Sequence, residues 1–377
     1  MLSNRKKVII GLLAILLLSG VSMVGLLVSN YHQLGNLLQV VELINTHYIE
    51  DVNSDQLVNG AIKGIVESLD DPYSSYLDPK DYTEMQQGIS GTFGGIGITV
   101  GMRNDHITVI APIKGTPAYQ AGIKADDVIT KINDETALDM ELDKAVDLMR
   151  GEPDTEVKIE VMRKTKDKME TLKFTIVREI INVPTVEGEV VEGNIGYIQL
   201  SHFNSNTHAE LEKVLGELTE EKIKGIILDL RFNPGGELQS AIKVADKFVE
   251  PGVIVSIREK NGREEVYRGE EEPIGLPLVV LVNGNSASAS EIVAGAIKDT
   301  NAGTLVGTKT FGKGVVQSIY SLKGGAGLKL TMAKYYTPAG TDIHKKGIEP
   351  HVKVEQDEDA KQDLQLEKAK EIIKGKI

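Results

Sequence analysis

Leu276-Pro-Leu-Val-Val-Leu-Val-Asn-Gly-Asn-Ser-Ala-Ser-Ala-Ser-Glu-Ile-Val-Ala-Gly-Ala-Ile-Lys298 joins two apolar runs through a turn of small residues. The first run, ending at Val282, reads as a buried strand and the second, from Glu291, as a helix. A serine in the turn would sit at a helix N-terminus. Unpaired backbone N–H groups and the positive end of the helix dipole meet there and suit an acyl-transfer oxyanion. Ser288-x-x-Glu291 also reads as a capping box, the hydroxyl holding the Glu291 N–H for about 1 kcal/mol. Ser286 and Ser290 share the turn, so periodicity selects none of the three. The alanine and glycine padding would let a substrate carbonyl approach closely, which a cap does not require.

Gly312-Lys-Gly314 follows, its lysine twenty-five residues after Ser288. A lysine base must be neutral near pH 7, which costs an ordinary lysine, titrating near 10.4, about 4 kcal/mol. Phe311, Val315 and Val316 are apolar neighbours able to desolvate the amine. Gln317, four residues on, would point to the same side of a strand as Lys313 and orient the neutral amine without charging it. The rival reading is a phosphate loop, Gly307-Thr-Lys-Thr-Phe-Gly-Lys313. It fails because Gly314 stands where a Mg²⁺-holding Ser or Thr is needed and a strand pattern, Val315 to Tyr320, follows where a helix is required. Asp229-Leu-Arg-Phe-Asn-Pro-Gly-Gly236 ends another apolar strand. It reads as a tight strand-to-helix turn, or as a loop whose Gly235 and Gly236 N–H groups join that of Ala289 in an oxyanion hole.

Around these segments, from about 170 to 350, strand-like runs (196 to 200, 225 to 230, 278 to 282) alternate with amphipathic helices near 207 to 221, 237 to 249 and 290 to 298, predicting an α/β core. Upstream, Gly91 to about Arg163 has short β-like runs and one helical stretch, Leu142 to Met149, the pattern of a β-rich module. Its Gly91-Thr-Phe-Gly-Gly-Ile-Gly97 feeds a strand rather than a helix. Such a loop can turn N–H groups toward a carboxylate while the strand edge pairs with a peptide. Leu34 to Tyr48 and Leu57 to Leu69 carry helical stripes that predict intramolecular core, with a dimer contact as the lesser reading. Leu366, Ala369, Ile372 and Ile373 give the charged tail one weakly apolar face.

At 377 residues the chain has room for several domains. Val8 to Val28 are twenty-one residues without a charge, preceded by Arg5, Lys6 and Lys7. That run is long enough to span a bilayer, and its basic flank predicts a cytoplasmic N-terminus with the remainder exported. An uncleaved anchor is favoured over a signal peptide, because no Ala-x-Ala site follows. With no cysteine, disulfides and thiolate chemistry are excluded, and the net charge of −13 argues against nucleic acid. The histidines lack metallohydrolase spacing, so neither a metal nor another cofactor is expected.

Together, Leu69-Asp-Asp-Pro-Tyr-Ser-Ser-Tyr76, Gly94-Gly-Ile-Gly97, Pro117-Ala-Tyr-Gln-Ala-Gly-Ile123, Leu228 to Gly236, Ser286 to Glu291, Gly312-Lys-Gly314 and Lys334-Tyr-Tyr-Thr-Pro-Ala-Gly340 resemble the C-terminal processing peptidases, or tail-specific serine proteases. The resemblance implies a multidomain α+β chain: a membrane anchor (1–30), an N-terminal helical region (31–87), a PDZ domain (88–166), an α/β serine-protease core (167–352) and a helical tail (353–377). It implies a Ser-Lys dyad, selecting Ser288 with Lys313, and Gln317 as third member. It further implies that Gly95, Ile96, Gly97 and Ile98 line a PDZ carboxylate loop for apolar substrate C-termini, and that Arg163 corresponds to an arginine signalling from PDZ to core. Phe232 departs from the family pattern, standing where a polar residue is common, as do Thr341 and His351. The expectation is a single-pass membrane endopeptidase with its catalytic part outside the cytoplasm, dimerising through the N-terminal helices or the tail. The alternative is a non-catalytic PDZ adaptor.

Overall fold

The computed structural model describes residues 32–165, 168–357 and 362–377. The expected anchor, 1–30, lies outside them. Among the described residues no helix is long and apolar enough to cross a membrane. The chain divides after Asp78 into two compact units.

The first unit contains helices His32–His47 and Ser54–Glu67 and a short strand, Ser75–Leu77. Asn53 caps the second helix, its Oδ1 accepting the Asp55 N–H at 2.8 Å. The two stripes do not form the expected core. Leu38 and Ile65 are 64% and 63% exposed, and among the described side chains of these stripes only Val66 is buried. Two helices and one short strand offer too little opposing surface to cover two apolar faces.

The second unit opens with helix Pro79–Ser90 and then the β-rich domain. Antiparallel strands run in the order Ile98–Arg103, His106–Pro112, Val128–Ile132, Glu156–Lys164, Met169–Val177. The first hairpin turns at Asn104 and Asp105, both at positive φ (50° and 61°), the left-handed pair that a two-residue hairpin demands. Helix Leu142–Met149 falls where its pattern predicts. The sheet continues past residue 166, because Met169–Val177 pairs with the whole of Glu156–Lys164. Thr92–Gly95 pairs with Glu179–Asn182, bringing entry and exit of the domain together.

The α/β core is built on a six-stranded sheet. Ile195–Leu200, Gly225–Asp229, Leu278–Val282, Thr304–Gly307 and Val352–Lys353 are parallel, and Val186–Val191 pairs antiparallel at one edge. Both faces are buried, which is why these strands read as continuous apolar runs. Ile226, Leu228, Val280 and Val282 face helices Thr207–Glu220, Leu238–Asp246 and Ala289–Asp299. Ile227, Val279 and Leu281 face the tail helix Leu364–Lys374, whose Ala369 and Ile373 are fully buried. The weakly apolar tail face is therefore the cover of the sheet's second side. A second sheet contains Gly252–Glu259, Glu264–Gly269, Val315–Ser321 and Gly327–Tyr336.

Candidate active site

Ser288 is the N-cap of Ala289–Asp299, as the strand-turn-helix pattern requires, but with φ 54° and ψ −111°. A serine in that conformation is strained by roughly 1–3 kcal/mol and persists only where surrounding contacts hold it. Glu291 Oε2 accepts the Ser288 N–H at 2.9 Å, and the Ser288 carbonyl accepts the Glu291 N–H at 2.8 Å. The Glu291 carboxylate thus closes its half of a capping box with Ser288. The turn's other serines are fully buried: Ser286 Oγ donates to the Leu230 carbonyl and Ser290 Oγ to that of Asn233, at 2.8 and 2.9 Å. Half-buried Ser288 instead lines a cavity of about 290 Å³.

Lys313, Gln317, Gly236 and Ala289 line the same cavity, with Val315, Val316 and Tyr335 among its apolar walls. A bulge between Val316 and Gln317 in the Val315–Ser321 strand breaks the alternation, so consecutive residues face the cavity. Gln317 Nε2 lies 3.3 Å from Thr331 Oγ1 and 3.4 Å from the Val315 carbonyl. Phe311, counted from sequence among the desolvating neighbours, is 56% exposed and does not line the cavity. A strand follows Lys313, so the near phosphate-loop pattern has no helix to serve.

The three amides expected at an oxyanion hole differ. Gly235 N–H donates to Asn233 Oδ1 at 2.9 Å inside its own loop. The amides of Gly236 and Ala289 have no partner among the described residues, and both residues line the cavity. Gly236, at φ 145°, is required sterically: a Cβ there would meet the Phe203 carbonyl oxygen at 1.9 Å.

Two organising residues escape sequence reading. Glu291, fully buried, accepts from Thr310 Oγ1 and the Gly312 N–H through Oε1, and from the Ser288 and Lys313 N–H groups through Oε2. Its position in a capping box hinted at only one of these bonds. Tyr335, 1% exposed, directs its hydroxyl at the carbonyls of Lys313 (2.6 Å) and Ser288 (3.0 Å). No local pattern marks it.

In the β-rich domain, Gly95, Ile96, Gly97 and Ile98 line a second cavity of about 250 Å³ with Val146, Met149 and Arg150. The Ile96 and Gly97 carbonyls accept from Ala118 and Ile113 N–H, both at 2.9 Å, tying the loop back into the domain. Arg150 stacks over the Phe93 ring at 4.7 Å beside this cavity, a contact the sequence did not flag. Arg163 forms a two-pronged pair with buried Asp127 and donates to the Gly122 carbonyl, bracing a turn of its own domain.

Comparison with known proteins now decides the family. Residues 194–354 match peptidase family S41, 94–175 a PDZ domain and 25–81 the N-terminal domain of the activating protease CtpB. The carboxy-terminal processing protease CtpA of Bacillus subtilis is 42% identical over 83% of this chain and 67% of that protein. The chain belongs to peptidase family S41. A carboxy-terminal-processing protease of Bartonella bacilliformis is likewise 42% identical, over 87% of this chain and 76% of its own length. The solved photosystem II D1 C-terminal processing protease aligns at 29% identity and a TM-score of 0.50, covering 85% of this chain and 92% of that one. This S41 member is therefore a serine-type C-terminal processing peptidase with a PDZ domain.

Proposed function

We propose that this S41 peptidase is a membrane-tethered, extracytoplasmic endopeptidase in which Ser288 and Lys313 form the catalytic dyad. One observation carries the reading: of three serines in the turn, only Ser288 faces the cavity that Lys313, Gln317, Gly236 and Ala289 also line. Lys313 takes the Ser288 proton as the hydroxyl attacks the scissile carbonyl, then returns a proton to the leaving amine. Water repeats the sequence on the acyl-enzyme. Gln317, its Nε2 toward Thr331, has its carbonyl oxygen left to orient the lysine. The Gly236 and Ala289 amides stabilise the oxyanion, with Gly235 shaping the loop and available as a further donor only if Asn233 releases it. The loop Gly95 to Ile98 receives an apolar substrate C-terminus, a choice supported by the apolar cavity wall.

Tethering and orientation rest on the Arg5 to Val28 sequence. Self-association through the N-terminal helices is favoured over association through the tail, because Leu38 and Ile65 stay exposed whereas the tail's Ala369 and Ile373 are buried within the chain.

The test is cleavage of a loosely folded protein with an apolar C-terminus by wild type, Ser288→Ala and Lys313→Ala, with the substrate tail free or amidated. Loss of turnover in both variants and slower cleavage of the amidated tail are expected. Equal cleavage by all three would overturn the site, and tail binding without cleavage by wild type would make the chain an adaptor.

A further inference from the structure

The tail helix lies beyond residue 354, where the match to the S41 family ends, yet it reaches the loop that carries Gly236. Arg231 is the link. Its guanidinium holds both oxygens of Asp229, the last residue of the Gly225–Asp229 strand, and on its other side both oxygens of Asp363, with Nη1 and Nη2 donating at 2.9 and 2.8 Å. Gln365, 2% exposed, accepts from Nη1 at 3.2 Å and ties back to the Val354 carbonyl. Asp229 is further held by the Tyr197 hydroxyl at 2.7 Å.

Charge balance does not explain Asp363. Asp229 alone neutralises Arg231, and a second partly buried carboxylate adds desolvation cost for little net stability. What Asp363 adds is direction. It is fixed as N-cap of the tail helix, its Oδ1 accepting the Leu366 N–H at 2.9 Å, so it offers a planar fork in one orientation. Arg231 sits between two anchored neighbours. The Leu230 carbonyl accepts from Ser286 of the nucleophile turn, and the Phe232 N–H donates to Asn283 Oδ1 at 3.0 Å. Phe232 takes a left-handed φ of 61°, and Gly235 and Gly236 follow at 102° and 145°. A loop with three left-handed residues in five positions needs its entry direction fixed.

We infer that Asp363 is a positioning residue for the peptidase reaction, acting from the C-terminal tail through Arg231 to hold the 229–236 loop where the Gly236 amide meets the oxyanion. The inference rests on the Ser288 site proposed above. Asp363→Asn preserves helix capping and removes the second carboxylate oxygen. Ile373→Ala loosens the tail's packing without touching Arg231.

The experiment uses the full chain in detergent, with a fluorogenic peptide ending in a free apolar carboxylate. It measures kcat, KM and the rate at which a fluorophosphonate labels the active serine, well below each variant's Tm. Asp363→Asn is expected to lower kcat and labelling rate by about tenfold or more with KM within about twofold, as loss of oxyanion alignment requires. Ile373→Ala is expected to lower Tm and leave kcat near wild type. Wild-type kcat in Asp363→Asn would overturn the inference, as would an equal loss of kcat in Ile373→Ala. Turnover by Ser288→Ala would instead sink the underlying site assignment.

Discussion

The backbones of Ser288 and Lys313 share two side-chain partners. Glu291 Oε2 accepts the N–H of each at 2.9 Å, and the Tyr335 hydroxyl faces the carbonyl of each, at 3.0 and 2.6 Å. A carboxylate on the amide side and a phenol on the carbonyl side therefore fix the separation of the two segments. They also hold Ser288 in its strained conformation.

Tyr335→Phe keeps the ring in its buried site and removes the hydroxyl. The expected result is a fall in kcat of about tenfold, at about 1.4 kcal/mol of transition-state misalignment, with a small change in KM. Steady-state kinetics on a peptide substrate would check this. Wild-type kcat would mean the hydroxyl serves folding alone.

Glu291→Gln replaces an acceptor-only group with one that turns N–H₂ toward backbone N–H donors. Four donors converge on this carboxylate, two on each oxygen. Losing one oxygen as acceptor is expected to cost about 2–6 kcal/mol, at about 1–3 kcal/mol for each of the two buried donors left unsatisfied. Chemical denaturation would read this loss, and activity is expected to fall with it.

Lys313→Arg is expected to abolish turnover while leaving Tm close to wild type. Arginine keeps the positive charge and much of the length but cannot give up a proton at neutral pH. Residual activity near wild type would exclude the lysine as base.

Phe232 is 68% exposed at a φ of 61°, so its side chain gains little packing in return for a left-handed backbone. Phe232→Asn is expected to stabilise the protein by about 1 kcal/mol, since asparagine tolerates this conformation, and thermal unfolding would register it as a higher Tm. A lower Tm would show that the aromatic ring contributes more than its exposure indicates.

Burial holds both His202 and His208 below the ordinary imidazole range. Each is therefore favoured neutral in the fold, so the stability tied to the neutral form is fully present above about 6.5 and is lost as pH falls below it. Tm is expected to decline from pH 7 to pH 5, and more steeply in wild type than in a His202→Gln, His208→Gln double variant. Parallel declines would assign the pH response to other groups.

Much of this protein was legible in one dimension. The apolar runs of the parallel strands, the Leu142–Met149 helix and the strand-turn-helix around Ser288 are local patterns, because periodicity and capping act over a few residues. The pairing of Ser288 with Lys313 came from family resemblance. The tertiary structure distinguishes Ser288 from Ser286 and Ser290 physically, by turning two hydroxyls onto carbonyls of the 230–233 loop and leaving the third at the cavity. Only it revealed that the tail face covers the sheet, that the stripes of the first two helices stay exposed, and that Gly235's amide is engaged while Gly236's is not. Glu291, Tyr335 and Asp363 act across separations of 22, 47 and 132 residues, distances over which a sequence pattern carries no signal. Sequence determines which groups a segment can offer. Which of them meet is set by long-range packing, where a hydrogen bond forms only if elements remote in the chain have already been fixed against one another.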